Sequence, residues 1–284
     1  MSLSKFTSKF SAADIKPLML PASVLKEATS SDHAPMGNFH EGFVLEQDLV
    51  EKQYGRLLVK QTKDHAQKMF AFVADQKNGQ AVLSFSRKGP TNFAESSIYV
   101  AGLKLSCSEQ VFMMLKASIF YGVSSNYNET LLTILRAAEP RFAKQAGRDL
   151  KDVDRAHLDA MSPAAMFTTL LIICTNPETF QRYKWFAHQL ATFGRESGIN
   201  SCLVIESGGD DMRWGYSGFT QQFLKAVSDS ADTGLDLFSA VKAVSVGENL
   251  LGRILTEFFN GIRDMEYRAY MEAVSGIEFV RVVE

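Results

Sequence analysis

Segment 108–116 carries two ionisable side chains within a mostly apolar stretch. Glu109 and Lys116 are seven residues apart, with Phe112 and Met113 between them. Since seven residues make two turns of an α-helix, both side chains project from one side of a helix here. A carboxylate and an ammonium in apolar surroundings need a partner or a shifted pKa, and such groups serve as acids, bases and nucleophiles. The alternative is a Glu favoured by a helix N-terminus and a Lys whose stem reaches solvent.

A second stretch, 206–215, places charged and aromatic residues after an apolar segment. Asp210 and Asp211 follow two glycines and precede Arg213 and Trp214. Gly and Asp are common in turns, so the carboxylates alone predict only a loop. A Trp beside charged side chains indicates a surface on which a base or a sugar stacks. The alternative is a Trp that closes the edge of the domain.

The histidines and cysteines predict neither a metal site nor a disulfide framework. The five histidines, at positions 33, 40, 65, 157 and 188, lack metal-ligand spacing, and the three cysteines form no C-x-x-C pair. An odd number of widely spaced cysteines favours buried thiols in a reducing compartment. We therefore expect no metal and no cofactor.

Composition and charge exclude some classes of function. The chain has 284 residues, of which 46% are hydrophobic and 22% charged, so it can bury a sizeable core. Its formal net charge of −2 argues against extensive non-specific binding of nucleic acid, which a basic surface supports. Because no uninterrupted apolar run reaches the length of a membrane span and no signal peptide is recognisable, we expect no membrane contact and a cytoplasmic location.

The framework that positions these side chains is predicted to be mainly α (multihelical) with a small β component. Ser108 is a suitable N-cap for a buried helix. Further helices are predicted at about 128–146, 154–174, 177–197, 220–228, 235–243 and 249–270. Predicted strands are 81–85, 97–100 and 201–205, with Asn78-Gly79 as a hairpin turn before the first.

Five motifs occur in a fixed order along the chain. They are Thr91-Asn92-Phe93, Ser108-Glu109-Gln110 with Lys116, Ala143-Lys144-x-x-Gly147-Arg148, Asp211-Met212-Arg213-Trp214-Gly215 and Gly247-x-Asn249-x-x-Gly252. In this order they resemble the NADAR (YbiA-like) family, whose members hydrolyse N-glycosidic bonds of ribose-containing nucleotides. The resemblance implies a single NADAR-like domain at residues 81–270. Residues 1–80 are then an N-terminal elaboration of unknown role, and 271–284 a C-terminal tail segment.

The resemblance also implies roles for individual residues. The implied catalytic residues are Glu109, Lys116 and Asp211. The implied substrate-binding residues are Asn92, Phe93, Arg148, Arg213, Trp214, Gly215 and Asn249. Arg148 and Arg213 are expected to hold a phosphate because a guanidinium binds it bidentately, although a surface Arg at a helix end explains Arg148 equally well. The helix beginning near Asn249 is expected to offer free N–H groups to an anion.

Cleavage of a C–N glycosidic bond requires stabilised positive charge at the anomeric carbon and a proton for the leaving base. Two carboxylates meet these needs, and we expect Glu109 and Asp211 to be the pair, without assigning the acid. Lys116 offers another route, in which its amine captures the C1 aldehyde of the opened sugar as a Schiff base. The implied substrate is an ADP-ribosylated guanine base or a phosphorylated riboflavin-pathway intermediate.

The chain departs from the family pattern at two positions. Leu158 stands where the family has Trp, and Ile173 or its neighbour stands where it has Lys. If that Trp holds the sugar or the base, ligand preference differs here or activity is lost. These departures motivate the alternative prediction, a non-catalytic protein that binds ADP-ribose or another nucleotide on the same fold.

Overall fold

A computed structural model describes most of the chain. The described residues are 9–30, 35–42, 49–62, 69–196, 201–207, 212–216, 223, 225–227, 229 and 233–284. Asp210 and Asp211 lie outside them, as does most of the helix predicted at 220–228. Over the described residues the fold is mixed α/β, about half helical and 22% strand. The sequence-based expectation of a mainly helical fold with a small β component therefore underestimated the strands.

The helices and strands are numbered here in chain order. The strands are β1 (Leu18–Pro21), β2 (Leu49–Tyr54), β3 (Leu57–Thr62), β4 (Met69–Asp75), β5 (Gln80–Ser86), β6 (Glu95–Val100), β7 (Leu103–Cys107), β8 (Ser201–Glu206) and β9 (Val280–Val283). The helices are α1 (Ala22–Ser30), α2 (Ser108–Ser118), α3 (Tyr127–Leu135), α4 (Pro140–Arg148), α5 (Arg155–Ile173), α6 (Pro177–Glu196), α7 (Leu237–Val244), α8 (Leu250–Ile262) and α9 (Tyr267–Val274). A short 3₁₀ turn, Ala12–Asp14, precedes β1.

The chain divides into two compact units. The first unit contains residues 1–40, 92–182 and 265–284, and the second contains 41–91 and 183–264. These divisions differ from the boundaries at 80 and 270, which follow from the family resemblance and stay a prediction. Strand pairing supplies the reason, since β1 pairs with β9 near the far end of the chain and β2–β5 join a sheet with β8.

Helix α2 lies at the centre of the first unit. Every residue of α2 is buried except Lys116, which is half-buried, as its nearly continuous apolar sequence predicts. Helices α4 and α5 pack most extensively against it. The two-stranded antiparallel sheet β6–β7 leads directly into its first turn, because Cys107 ends β7 and is also the N-cap residue of α2.

The second unit is built on a five-stranded sheet in the order β2-β3-β4-β5-β8. The first four strands are antiparallel neighbours, and β8 is parallel to β5. Asn78-Gly79 forms the β4–β5 hairpin turn as predicted; Gly79 has a positive φ of 62°, and the Asp75 carboxylate accepts hydrogen bonds from the Asn78 backbone and side chain. One cluster of buried apolar residues combines side chains of this sheet with side chains of α7 and of two residues between β8 and α7. Its members are Leu57, Val59, Ala71, Val73, Val82, Ile205, Phe223, Val227, Leu237 and Val241.

Two predicted helices are each divided in two. The helix predicted at 128–146 is α3 and α4, because Pro140 has no backbone N–H and therefore begins a helix. The helix predicted at 249–270 is α8 and α9, separated where Glu266 adopts an extended backbone before α9. The helices predicted at 154–174, 177–197 and 235–243 are confirmed within two residues at either end.

Helix α5 bears on the composition-based expectation about membrane spans, which stays a prediction. It is long and apolar enough to satisfy the length and hydropathy criteria for a membrane span, although Ser and Thr interrupt its apolar residues. However, 56% of that window is buried inside the protein, which is also typical of a core helix. The apolar face of α5 is occupied by contacts with α2 and β6.

Candidate functional site

The first turn of α2 holds a buried carboxyl group. Glu109 is only 3% exposed, and its Oε1 has no hydrogen-bond partner among the described residues. Its backbone N–H donates to Asn92 O at 2.9 Å, which ties the start of the helix to the turn before β6. An unpaired buried carboxyl oxygen is costly and needs a functional or structural explanation.

Three cations act on this carboxyl group. Burial raises the pKa of Glu109 above its ordinary value, and this is the largest effect. Lys144, Lys116, a hydrogen bond from the Asn92 side chain and Arg148 lower it, in decreasing order, but do not outweigh burial. Glu109 is thus disposed to hold a proton at a higher pH than a solvated carboxyl group, as a general acid requires.

Lys116 shows the complementary change. Burial lowers the pKa of this ammonium, the Glu109 and Asp159 carboxylates raise it, and Arg148 and Lys144 lower it further. Its Nζ lies 5.3 Å from the centroid of the Phe112 ring, one turn back on the same helix. The fraction of uncharged amine at neutral pH is therefore greater than for a solvated lysine, which favours a nucleophilic role.

A glycine allows α4 to carry its cations close to α2. A Cβ built on Gly147 would lie 2.5 Å from Sδ and 3.1 Å from Cβ of Met113, which is one turn after Glu109. Lys144 and Arg148, four residues apart, share one side of α4. The Lys144 Nζ is 5.9 Å from the centroid of the Phe93 ring, whereas Arg148 is largely exposed. The motif Lys-x-x-Gly-Arg therefore combines a packing contact with two charges.

The loop before β6 supplies Asn92 and Phe93. Both side chains are half-buried. The Phe93 carbonyl accepts a hydrogen bond from His40 N at 2.9 Å, and the His40 and Phe93 rings have centroids 4.9 Å apart at 36°. His40 was not predicted as a site residue, because no sequence spacing connects it with residues 92 and 93.

In the second unit, residues 212–216 follow β8 and contact the start of α8. Tyr216 N donates to Glu206 O at 2.9 Å, and a Cβ on Gly215 would lie only 2.5 Å from that same oxygen. Gly215 is therefore required for backbone packing. Arg213 and Trp214 are half-buried here, whereas Asp211 lies outside the described residues.

Asn249 is oriented towards the backbone of β8. Its side chain accepts from Glu206 N at 3.0 Å and donates to Val204 O at 2.8 Å, and the residue is 1% exposed. These bonds give Asn249 a structural role that its predicted binding role did not anticipate.

The expectation that α8 offers free N–H groups to an anion is wrong for its first two residues. Leu250 N donates to Arg213 O at 3.1 Å, and Leu251 N donates to Trp214 O at 3.0 Å. These two N–H groups, which have no acceptor within the helix, therefore bind the backbone of the 212–216 loop.

The two departures from the family pattern lie in the core of the first unit. Leu158, on α5, is 3% exposed, and Ile173, at the end of that helix, is fully buried. Asp154 caps α5 by accepting from the backbone N–H groups of Ala156 and His157. Packing accounts for both apolar side chains.

The predicted residues thus fall into two groups. Asn92, Phe93, Glu109, Lys116 and Arg148 belong to the first unit, whereas Arg213, Trp214, Gly215 and Asn249 belong to the second. Sequence reasoning matched Lys144 to a motif but did not predict it as a site residue, although it exerts the largest charge effect on Glu109.

The part of the chain that the structure describes contains no group of three or more His, Cys, Asp or Glu side chains arranged to hold a metal ion. A comparison with protein-family models finds no match, and neither does a comparison with curated proteins.

Proposed function

We propose that the protein is an N-glycosidase that hydrolyses the C–N bond of a ribose nucleotide. The observation that carries this proposal is the buried Glu109 carboxyl group, whose Oε1 has no partner among the described residues. Burial raises its pKa, and Lys144, Lys116 and Arg148 oppose that rise only in part. Cations beside a carboxyl group suit a substrate that combines phosphate groups with a leaving base. The ordered motifs support an ADP-ribosylated guanine base or a phosphorylated riboflavin-pathway intermediate as that substrate.

In this mechanism Glu109 donates the proton that the base needs to leave. The bond between C1 of ribose and the base nitrogen breaks, the electron pair stays on the nitrogen, and the nitrogen takes the proton. Asp211, nominated from its motif, stabilises the cationic sugar and takes a proton from the water that attacks C1. The raised pKa of Glu109 supports its assignment as the acid of the pair.

The second route uses Lys116 as a nucleophile. Its amine attacks C1 as the bond from C1 to the base nitrogen breaks, and the base leaves with a proton from Glu109. The sugar ring then opens as the C=N bond forms, with the ring oxygen taking the proton of the amine, and water later hydrolyses this Schiff base to release the sugar and regenerate Lys116. Its lowered pKa supports this route. Borohydride treatment during turnover separates the routes, because only a Schiff base is reduced to a stable adduct on the peptide containing Lys116.

We expect Glu109→Gln to lower kcat for hydrolysis of guanine-linked ADP-ribose by at least about 100-fold, since the proton donor is lost while the side-chain volume is kept. Released ADP-ribose is measured by chromatography, and far-UV circular dichroism checks folding. Glu129→Gln, on the exposed side of α3, is the matched control and keeps wild-type activity. Asp211→Asn is expected to behave as Glu109→Gln does.

Full activity in folded Glu109→Gln would remove this residue from the mechanism. If wild-type protein releases no ADP-ribose, the phosphorylated riboflavin-pathway intermediates are tested with the same variants. Failure with both substrate classes would contradict the glycosidase proposal.

The alternative function is non-catalytic binding of ADP-ribose or a related nucleotide. It is favoured by Leu158, where the family has Trp, and by Ile173 or its neighbour, where the family has Lys, because the residues at these positions are buried in the core. This alternative expects ADP-ribose to raise the Tm of the protein without hydrolysis of any glycoside. The absence of a Tm shift would contradict it.

A further inference from the structure

A short segment that precedes the predicted NADAR-like domain lies against the Glu109 site at three points. Met36 Sδ is 3.8 Å from Sγ of Cys107, the N-cap residue of α2. Gly37 N donates to Ala138 O at 2.8 Å, immediately before α4. His40 pairs with Ala94 in a parallel bridge and donates from its backbone to Phe93 O. Segment 36–40 therefore contacts residues next to the loop that carries Asn92, the helix that carries Glu109 and the helix that carries Lys144.

The His40 side chain extends this contact to a predicted substrate-binding residue. Its half-buried ring lies 4.9 Å from the Phe93 ring, and the Lys144 ammonium lies 5.9 Å from the Phe93 centroid. Phe93 thus contacts an imidazole and a cation, and its neighbour Asn92 is bonded to the start of α2. A ring pair at this separation has a preferred geometry beyond its apolar burial.

We propose that His40 is a positioning residue of the Glu109 site, which holds the Phe93 ring in the orientation that binds the substrate. The inference rests on the proposed function and deepens it, because it assigns a role in substrate affinity to the segment before residue 81. His40 acts through Phe93, so it governs binding rather than the bond-breaking step.

The test compares His40→Ala with His40→Phe. The Ala variant removes the ring but keeps the backbone N–H that donates to Phe93, so its effect isolates the side chain. We expect His40→Ala to raise KM for guanine-linked ADP-ribose about three- to tenfold with kcat changed less than about twofold. His40→Phe restores KM to near the wild-type value, because a planar ring again packs against Phe93 in the tilted arrangement that His40 adopts.

The control is His157→Ala. His157 also contacts a Phe ring in the first unit, with its centroid 5.9 Å from that of Phe120, but it is exposed at the start of α5. This control keeps the wild-type KM. Binding of ADP-ribose, measured by calorimetry, provides a second readout that is independent of turnover and is expected to weaken by the same factor in His40→Ala alone.

Failure of the proposed role of His40 can be distinguished from failure of the proposed function. Wild-type protein that hydrolyses or binds the nucleotide, with His40→Ala unchanged in KM and Kd, overturns the role of His40 but leaves the proposed function intact. A loss of affinity in His40→Ala that His40→Phe does not restore overturns positioning by the contact between the two rings. Wild-type protein that neither hydrolyses nor binds any of the nucleotides overturns the proposed function and this inference together.

Discussion

At the scale of single residues, Glu109 and Lys116 illustrate how a shared environment changes two ionisable groups in opposite senses. Burial disfavours charge on both, so the pKa of the carboxyl group rises and that of the ammonium falls. Their mutual attraction opposes both shifts. The pair therefore has a greater share of the neutral acid and neutral amine than two solvated groups have, which suits proton donation and nucleophilic attack.

Lys144 provides a prediction about pH. Its positive charge lowers the pKa of Glu109, so Lys144→Met removes that effect and raises this pKa further. Activity that requires protonated Glu109 is lost as pH rises through its pKa, and the alkaline limb of kcat/KM should therefore move to higher pH. The acidic limb, where neutral Lys116 is required, should move in the same direction, because Lys144 also lowers the pKa of Lys116.

Two controls accompany this pH profile. Lys144→Arg keeps the positive charge, and Lys151→Met removes an exposed lysine elsewhere. In both, the two limbs of the kcat/KM profile should stay where they are in the wild-type protein. The charged groups that act on Glu109 are Lys144, Lys116 and Arg148. An alkaline limb that stays in place in Lys144→Met would show that Glu109 does not determine it.

Sequence reasoning singled out some candidate site residues because their types are unusual for their surroundings. Glu109 was recognisable as a carboxyl group in an apolar segment, and its burial agrees with that interpretation. His40 was not recognisable, since the contact with Phe93 joins residues 53 positions apart through a parallel bridge. Long-range pairing of this kind leaves no local pattern in a single sequence.

At the scale of elements, three glycines of the resemblance motifs serve close backbone packing. A Cβ on Gly247, which has a φ of 131°, would lie 2.3 Å from Met212 O. Corresponding contacts at Gly215 and Gly252 would be 2.5 Å from Glu206 O and 2.2 Å from Val204 O. The end of β8, the 212–216 loop and the start of α8 approach one another too closely for side chains. Two of the five motifs are therefore explained in large part by packing.

Gly252→Ala tests this explanation. Ala is favoured over Gly within a helix by about 1 kcal/mol, so propensity alone predicts stabilisation. The new Cβ would instead meet the β8 backbone, which cannot move without disturbing the sheet, and we expect net destabilisation of about 1–3 kcal/mol. The change in stability is measured as the shift of the urea unfolding midpoint, with tryptophan fluorescence and circular dichroism as the two signals.

Gly276→Ala is the matched control, because a Cβ added at this position would have no atom within 4 Å. Its midpoint should equal that of the wild-type protein. Equal midpoints for Gly252→Ala and Gly276→Ala would show that the 247–252 segment accommodates a side chain, and that packing does not explain the glycine.

Helix positions were easier to predict than helix ends. The apolar spacing in α5 and α6 is continuous, and both helices were predicted nearly to their ends. The predicted helix at 128–146 is divided at Pro140, which begins α4. The sequence-based prediction gave the surrounding helix-forming residues more weight than this proline. The strands β2 and β3 were missed because residues 49–62 mix charged and apolar side chains and become strands by pairing with β4.

At the scale of the whole molecule, segments near both ends of the chain join in one sheet. Strand β1 pairs in parallel with β9, with Leu18 opposite Val280 and Pro21 opposite Val283. Leu18 and Leu20 are fully buried, and Met19 N donates to Oγ of Ser118, the last residue of α2. The sequence did not predict this pairing, because a parallel pair between distant segments has no turn to mark it. Residues 271–284, predicted as a tail segment, thus contribute a strand to the first unit.

Deletion of residues 279–284 tests the structural importance of this pairing. Leu18 N loses its acceptor, the carbonyl of Phe279 at 2.8 Å, and β1 loses its only sheet partner among the described strands. We expect amide hydrogen exchange in β1 and at the C-terminal turn of α2 to accelerate by about tenfold or more, which corresponds to ~1.4 kcal/mol of local opening free energy. Exchange in β4 and β5 should not change, because neither strand pairs with β1 or β9.

The control is Arg281→Ala, which removes only an exposed ion pair with Glu278 and should leave exchange as in the wild-type protein. Unchanged exchange in β1 after the deletion would mean that packing on α1 and α2 holds this strand without β9.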